Sequence, residues 1–328
     1  MSTQISVIGL NQVGASIGLA LSAYKDKLVR VGHDANASRM KKVLNENAFD
    51  KTFASLTEAV RNAELVILTL PTDLQRDALR LIANAINPDT VVVCISHVST
   101  TPLAWARETL SAQQPFIILL PILPPDRLRD WEDSLEVAQP GFFTNCDMLV
   151  VTDHDTQTRA FQMANDLCQL LGAKPYFSEP LEADGIIARV EQLPKLSAAA
   201  LLSTLVGQPG WDDSRRLTSR AFFRTASISS LYDEEEFFGL SSLMNKENII
   251  RAIDDYISSM MELRDLIEQD DEDGLKQVLL EARKGFELWL AQRTSGDWEK
   301  KENSPPELER NMMSRLFGVK PRIKKTDQ

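Results

Sequence analysis

The chain has 328 residues, 43% of them hydrophobic, and a formal net charge of −11. That length suits about two domains. The acidic balance argues against a general nucleic-acid surface, which needs clustered cations, and no apolar run approaches the length of a membrane span. Cys94, Cys146 and Cys168 stand far apart with no CxxC pair. They read as buried thiols of a reducing compartment, not as disulfides or metal ligands. The start Met-Ser-Thr-Gln has no basic stretch before an apolar one, so a cytoplasmic location is expected.

Residues 5 to 18 read Ile-Ser-Val-Ile-Gly-Leu-Asn-Gln-Val-Gly-Ala-Ser-Ile-Gly. A buried strand over 4–9 runs into a Gly turn, and a helix opens at once and reaches about Tyr24. In a dinucleotide-binding unit such a turn seats the pyrophosphate on the helix N-terminus, against unpaired N–H groups. Gly9, Asn11, Gln12, Val13 and Gly14 are the candidate residues. The usual pattern has Gly where Asn11 stands, and Asn carries a Cβ into a close approach. A second strand over 28–34 ends at Asp34, about 20 residues after Gly14, the spacing of a carboxylate that binds ribose hydroxyls. Asp repels a 2′-phosphate, so NAD is expected over NADP. The plainer reading is a doubly wound domain whose Gly residues serve only the turn and helix packing.

A helix follows from Ala35-Asn36-Ala37-Ser38 through Leu44, and a short one over 57–60. Glu64 to Pro71 reads as a buried strand ending in a loop, and helix 73–86 leads to strand 90–96. Thr101-Pro102 is expected to open the next helix with Pro at its first position. Phe116 to Leu120 is a strand stopped by Pro121, and 148–152 is another. Helix 155–172 and strand 174–178 close the first domain, 1–179. Apolar runs without alternation suit a parallel sheet covered on both faces, so the fold class is a doubly wound α/β domain.

From Pro180 no further strand is expected. Helices over 181–206, 214–230, 233–245, 247–269 and 271–294 give an all-helical second domain, 180–298. Residues 196–206 are apolar nearly all round, which predicts deep burial and a helix shared across a homodimer. Beyond Trp298 the chain is polar. Ser304-Pro305-Pro306 reads as a linker, 307–317 as a short amphipathic helix and 320–325 as a basic tail, either mobile or a docking peptide.

The chain resembles the prephenate/arogenate dehydrogenase family over about residues 4–295. The resemblance rests on the Gly9–Ser16 turn, Asp34-Ala35-Asn36, the segment Ala63 to Asp73 with Leu70-Pro71, and the helical second half. In that half Gln192-Leu193-Pro194-Lys195-Leu196-Ser197 is similar to the family's buried helix containing His-Leu-Pro. Arg220 and Arg224 match the family's two Arg residues four apart, the second contacting a substrate carboxylate. The resemblance implies a Rossmann domain followed by a dimerisation domain. It also implies hydride transfer from a cyclohexadienol to nicotinamide, then loss of the ring carboxylate as CO₂, in tyrosine biosynthesis.

The polar site departs from that pattern. The position matching the catalytic His is Leu120, the second His matches Gln192, and the Ser that steers substrate matches His97. The Gly-rich loop after the catalytic His is here Ile122-Leu123-Pro124-Pro125. Loss of a general base removes roughly 10²–10⁴-fold of rate. His97 lies at the C-terminal edge of a parallel sheet, where ligands bind. It is either a relocated base or a His bonded to Ser96, Ser99 or backbone. His33 sits beside the adenine ribose position, and His154 reads as a surface or cap residue. No residues have metal spacing.

Asp126, Arg127, Arg129, Asp130, Glu132 and Asp133 read as a solvated charged face. Arg215, Arg216, Arg220 and Arg224 are either an ion-pair stripe with Asp212 and Asp213 or an anion site, with 216, 220 and 224 on one helix face. Asp233 to Glu236 reads as a helix N-terminus. Two functions stay open: a dehydrogenase for a small cyclic carboxylate, and a cofactor-binding but catalytically silent sensor or interaction protein.

Overall fold

The run Ile5-Ser6-Val7-Ile8 is buried on both faces, and its one polar side chain, Ser6, donates to Ala59 O at 2.6 Å. A computed structural model describes residues 3–128, 135, 138–231 and 235–298. Eight strands form one sheet: β1 (Thr3–Ile8), β2 (Leu28–His33), β3 (Lys51–Thr52), β4 (Leu65–Leu68), β5 (Val91–Ile95), β6 (Phe116–Ile122), β7 (Asp147–Val151) and β8 (Lys174–Ser178). Their order is β3-β2-β1-β4-β5-β6-β7-β8. The helices α1 (Gln12–Leu21), α2 (Ala37–Asn45), α3 (Leu56–Val60), α4 (Thr72–Ile82), α5 (Thr100–Thr109) and α6 (Thr158–Leu171) lie in the connections.

Successive residues of the central strands point to opposite faces, and both faces are dry. Ile5, Val7, Ile67, Val93 and Leu119 pack with Ala15, Ile17 and Leu21 of α1 and Ala164, Leu167 and Cys168 of α6. Ile8, Leu68, Cys94, Ile118 and Leu120 pack on the other side with Ala78, Leu79, Ile82 and Ala106. This is why those strands read as unbroken apolar runs. The doubly wound fold is as expected, with one difference: β7 runs antiparallel to β6. Such a strand toward the edge of an otherwise parallel sheet is common.

Two further expectations are corrected. Pro121 does not stop β6, which continues to Ile122 beside β7. Because β5 ends opposite Leu119, the missing Pro N–H can face the side that β5 has vacated. Pro102 is the third residue of α5, not the first. The two-residue strand β3 is too short to show a period in sequence.

The chain parts into two compact units, Met1–Asp255 and Tyr256–Gln328. After β8 the described residues of the first unit hold no strand. The helix expected over 181–206 is α7 (Pro180–Ile187), a π-helical turn (Ala188–Gln192) and α8 (Leu193–Ser203). The helix expected over 214–230 is broken into α9 (Trp211–Ser214), a 3₁₀ turn (Arg215–Leu217), α10 (Arg220–Ala226) and a second 3₁₀ turn (Ser227–Leu231). Ser219 starts α10 by accepting the Phe222 N–H at 3.3 Å. That break separates Arg216 from Arg220 and Arg224, so the three do not share one helix face. Then come α11 (Glu235–Met244) and α12 (Lys246–Glu268), which runs on into the second unit.

The expected deep burial of 196–206 is not found in the single chain. Ala198 is the buried residue of α8, and Val206 is exposed. An all-apolar helix left half-covered has surface still to bury.

The second unit continues α12 into α13 (Glu272–Ser295). Asp271 caps α13, its Oδ1 accepting the Gly274 N–H at 2.9 Å. Ile257, Met260, Ile267, Leu279, Phe286 and Trp289 of this unit are exposed. No described helix is long and apolar enough to cross a membrane. Residues 129–134, Asp233, Glu234 and the tail 299–328 lie outside the described residues, with the expectations made for them.

Candidate active site

The strand order reverses between β1 and β4, and the crevice outside the carboxyl ends of such strands is where doubly wound folds bind ligands. Gly9 ends β1 with φ +98°, a conformation that costs Gly little. Gly14 faces it so closely that a Cβ would lie 2.1 Å from the Gly9 carbonyl oxygen. Thr69, just past β4, ties the turn down: its hydroxyl donates to Gly9 O at 2.5 Å.

Asn11 caps α1. Its Oδ1 accepts the Gly14 N–H at 2.9 Å, and its Nδ2 donates to Thr69 O at 2.8 Å. Both ends of the amide are therefore held by the protein. The Ala15 N–H goes to Asn11 O at 2.9 Å. Among the described residues the Val13 N–H has no hydrogen-bond partner, which leaves a donor at the positive end of α1 for an anion.

Asp34 is buried at the end of β2. Its Oδ2 accepts the Leu10 N–H at 2.7 Å, and its Oδ1 accepts the Asn36 N–H at 2.8 Å. These bonds fix the carboxylate against the Gly turn and leave each oxygen a lone pair. Arg39 of α2 stands 3.7 Å from Oδ2. The cradle that a Cβ would fill, the open donor and the fixed carboxylate fit a dinucleotide.

Deeper along the sheet edge, Gln75 of α4 is fully buried and crosses two loops. Its Nε2 donates to Leu70 O at 3.0 Å and Ile95 O at 2.8 Å. The Thr72 and Ser96 hydroxyls lie 3.3 Å apart. The loops carrying Leu70-Pro71 and Ser96-His97 are thus held side by side. Leu120, at the family's His position, is 4% exposed and packs with Leu149, Ala183 and Ile187. It belongs to the core.

Asp184 of α7 is 1% exposed and captures the start of α5. It accepts from Ser99 N at 2.5 Å, Thr100 N at 3.0 Å and the Thr100 hydroxyl at 2.5 Å. His97 itself is exposed at this loop. The π turn follows, and its extra residue per turn is a frequent mark of functional sites. It ends at Gln192, 2% exposed, whose Oε1 accepts from Asn245 Nδ2 at 2.8 Å. Asn245 also donates to Asp184 O at 2.8 Å. The Gln192 Nε2 is buried with no partner, a donor ready for an acceptor.

Next to it Glu191 pairs with Lys195 at 2.8 Å, and the Lys195 ammonium lies 5.5 Å from the Phe238 ring centre. Burial pushes the Glu191 carboxyl up, but the charges of Lys195 and His97 outweigh it and hold it below the usual carboxylate range. So Glu191, Lys195 and His97 share one electrostatic neighbourhood.

Thr69, Gln75, Asp184, Glu191 and Asn245 were missed from sequence. Each acts on a partner distant in the chain or through a turn that spacing does not reveal. Arg220 and Arg224 are exposed, and neither guanidinium makes a hydrogen bond or ion pair among the described residues. Arg215 pairs with Asp212 at 3.3 Å, the plainer of its two readings. Arg127 is not merely solvated: it donates to Gly141 O at 3.1 Å and lies over the Phe142 ring. His33 Nδ1 meets Phe53 O at 2.8 Å, and His154 is a surface residue near Asp155. The three thiols are free and buried. Burial holds Cys94 far above the usual thiol range and Cys168 at about 11. No metal-binding group occurs among the described residues.

Residues 179–281 match the family model described as prephenate dehydrogenase, dimerization domain, and residues 4–97 match one described as NADP oxidoreductase, coenzyme F420-dependent. A prephenate dehydrogenase of Bacillus subtilis is 22% identical over 279 residues, covering 84% of this chain and 73% of its own. A cyclohexadienyl dehydrogenase of Zymomonas mobilis is 23% identical over 300 residues, covering 89% and 97%. Among solved structures, a prephenate dehydrogenase from A. aeolicus in complex with hydroxyphenyl propionate and NAD+ superposes with a TM-score of 0.77. It is 18% identical, with 86% of this chain and 96% of that one covered. The chain is thus similar to prephenate and cyclohexadienyl dehydrogenases over most of its length, with residues 179–281 matching the prephenate dehydrogenase dimerization domain.

Proposed function

We propose that the chain is an NAD-dependent dehydrogenase of a small cyclic carboxylate of the prephenate or arogenate type, working in tyrosine biosynthesis in the cytoplasm. Residues 1–179 serve as the cofactor domain, 180–298 as the substrate and homodimerisation domain, and 299–328 as a tail. Gly9, Asn11, Gln12, Val13 and Gly14 hold the pyrophosphate, Asp34 the ribose, and Leu70-Pro71 line the path toward the nicotinamide. Asp34 supports NAD over NADP. A bound nicotinamide supplies the hydride acceptor.

The chain's own residues supply the rest. His97 takes the hydroxyl proton as the carbonyl forms, and the ring carboxylate then leaves as CO₂. Gln192 Nε2 donates to the substrate, and Arg224, with Arg220, anchors a carboxylate by its planar fork. Imidazole suits the proton role because its ordinary pKa is near neutral.

The observation that carries this reading is the lock between Asp184 and the Ser99-Thr100 backbone. It fastens the loop bearing His97 to the helix bearing the orphan Gln192 amide. The test is absorbance of reduced nicotinamide with NAD and either prephenate or arogenate. Turnover that disappears in His97→Ala is expected, and turnover unchanged in that variant refutes the role of His97.

The buried Leu120 favours a second reading, a silent relative acting as sensor or assembly partner. NAD binding without turnover on either substrate identifies it.

A further inference from the structure

A row of side-chain amides in the helical half of the first unit ends at Gln192. Arg251, in the first turns of α12, donates from Nη2 to Asn248 Oδ1 at 3.1 Å. Asn248 Nδ2 donates to Asn245 Oδ1 at 2.8 Å. Asn245 is 4% exposed, and its Nδ2 donates to the Asp184 main-chain carbonyl and to Gln192 Oε1, both at 2.8 Å. A guanidinium only donates and a carbonyl only accepts, so the two ends fix the sense of every amide between them. The Gln192 oxygen is therefore taken. Its Nε2 is buried and has no hydrogen-bond partner among the described residues.

We propose that Asn245 is the positioning residue for Gln192. It holds the amide with the oxygen bound and the N–H donors open, so the substrate group received there is an acceptor oxygen, of a carboxylate or a ketone, and not an ammonium. This rests on the reading that Gln192 donates to the substrate. A Gln side chain left to itself turns end for end and offers either its oxygen or its nitrogen. Here the bond from Asn245 allows one orientation. A buried donor without an acceptor carries the full cost of its desolvation, which a ligand oxygen removes. Asp184 serves both ends of the arrangement: its carboxylate holds the start of α5, and its main-chain oxygen holds the Asn245 amide.

The test is calorimetric titration of full-length protein with prephenate and, separately, arogenate, without NAD so that no turnover intervenes. Gln192→Leu should weaken binding roughly tenfold, the effect of losing one hydrogen bond to a charged acceptor. Asn245→Asp accepts but cannot donate, so it should turn the Gln192 amide round, set an oxygen against the ligand and weaken binding at least as much. In the double variant Asn245→Asp should add nothing to Gln192→Leu, because a positioning residue acts only through the amide it holds. NAD affinity should be the same in all three variants. A second measurement uses the parent protein alone. By NMR, the Asn245 side-chain protons should exchange slowly before ligand is added, and the Gln192 side-chain protons, identified by their loss in Gln192→Leu, should shift as prephenate is titrated in.

If Gln192→Leu weakens binding while Asn245→Asp leaves it intact, or adds its full loss in the double variant, the role of Asn245 is overturned and the Gln192 contact stands. Fast exchange of the Asn245 side-chain protons overturns the lock in the same way. If Gln192→Leu binds as the parent does, or the parent binds neither substrate, the substrate reading of Gln192 fails and the lock fails with it.

Discussion

Asp184 and Thr100 are joined twice, backbone N–H to carboxylate at 3.0 Å and hydroxyl to carboxylate at 2.5 Å, although 84 residues separate them. With Ser99 this gives a buried carboxylate three donors, and it decides where the His97 loop sits. Hydrogen bonds to a charged group contribute about 1.5–3 kcal/mol each, but not additively. Asp184→Ala should cost about 3 kcal/mol, read as a lower midpoint in thermal or urea unfolding, and should lower kcat more than it weakens NAD binding.

Asn11 stands where the usual dinucleotide-binding turn has Gly, yet closes no donor except Gly14 N. Asn11→Gly should cost only a few tenths of a kcal/mol as a cap, with some further loss from the bond to Thr69. It should tighten NAD binding, because another N–H at the helix start becomes open to the pyrophosphate. Calorimetry on the pair of proteins reads both effects.

Gly14→Ala places a methyl 2.1 Å from Gly9 O, a backbone atom that cannot swing away. The turn must open, and NAD binding should be lost. The helix itself gains propensity, so the far-ultraviolet signal should remain.

Arg30 is 3% exposed and donates to Asp50 through Nη2 at 2.7 Å, and also to the Gly18 and Asn47 carbonyls. Partial burial raises the Asp50 carboxyl, but its bonds to Arg30 outweigh this and lower it from 3.8. A depressed folded-state value stabilises the fold above the unfolded value, and that stability is lost as pH falls through the folded one. Stability should therefore drop below pH 3.8 more steeply in the parent than in Asp50→Asn. At neutral pH, Asp50→Asn should be less stable by about 2 kcal/mol, since the buried guanidinium loses its counter-charge.

The parts legible in sequence were those whose cause is local. The Ile5–Gly9 strand and turn, the Asp34 spacing and the helix starting after Asn36 each depend on residues near in the chain. What escaped was long-range or a matter of burial. Nothing near Asp184 announces that it caps a helix starting at Thr100, and nothing near Gln75 announces the loops it crosses. Pro121 was misread because a Pro inside a strand is tolerable only once the neighbouring strand has ended. The apolar stretch 196–206 was read as core, yet apolarity alone does not say whether the cover comes from the same chain. Leu120 was legible as a missing base but not as a packed member of the core beside Ala183 and Ile187.

The account stands on a dinucleotide lying across the Gly9–Gly14 turn. Calorimetric titration of the full-length protein with NAD and with NADP reads this most directly. NAD should bind, more tightly than NADP, and Asp34→Ala should weaken it at least tenfold, about 1.4 kcal/mol. Heat of dilution alone with both nucleotides contradicts the account.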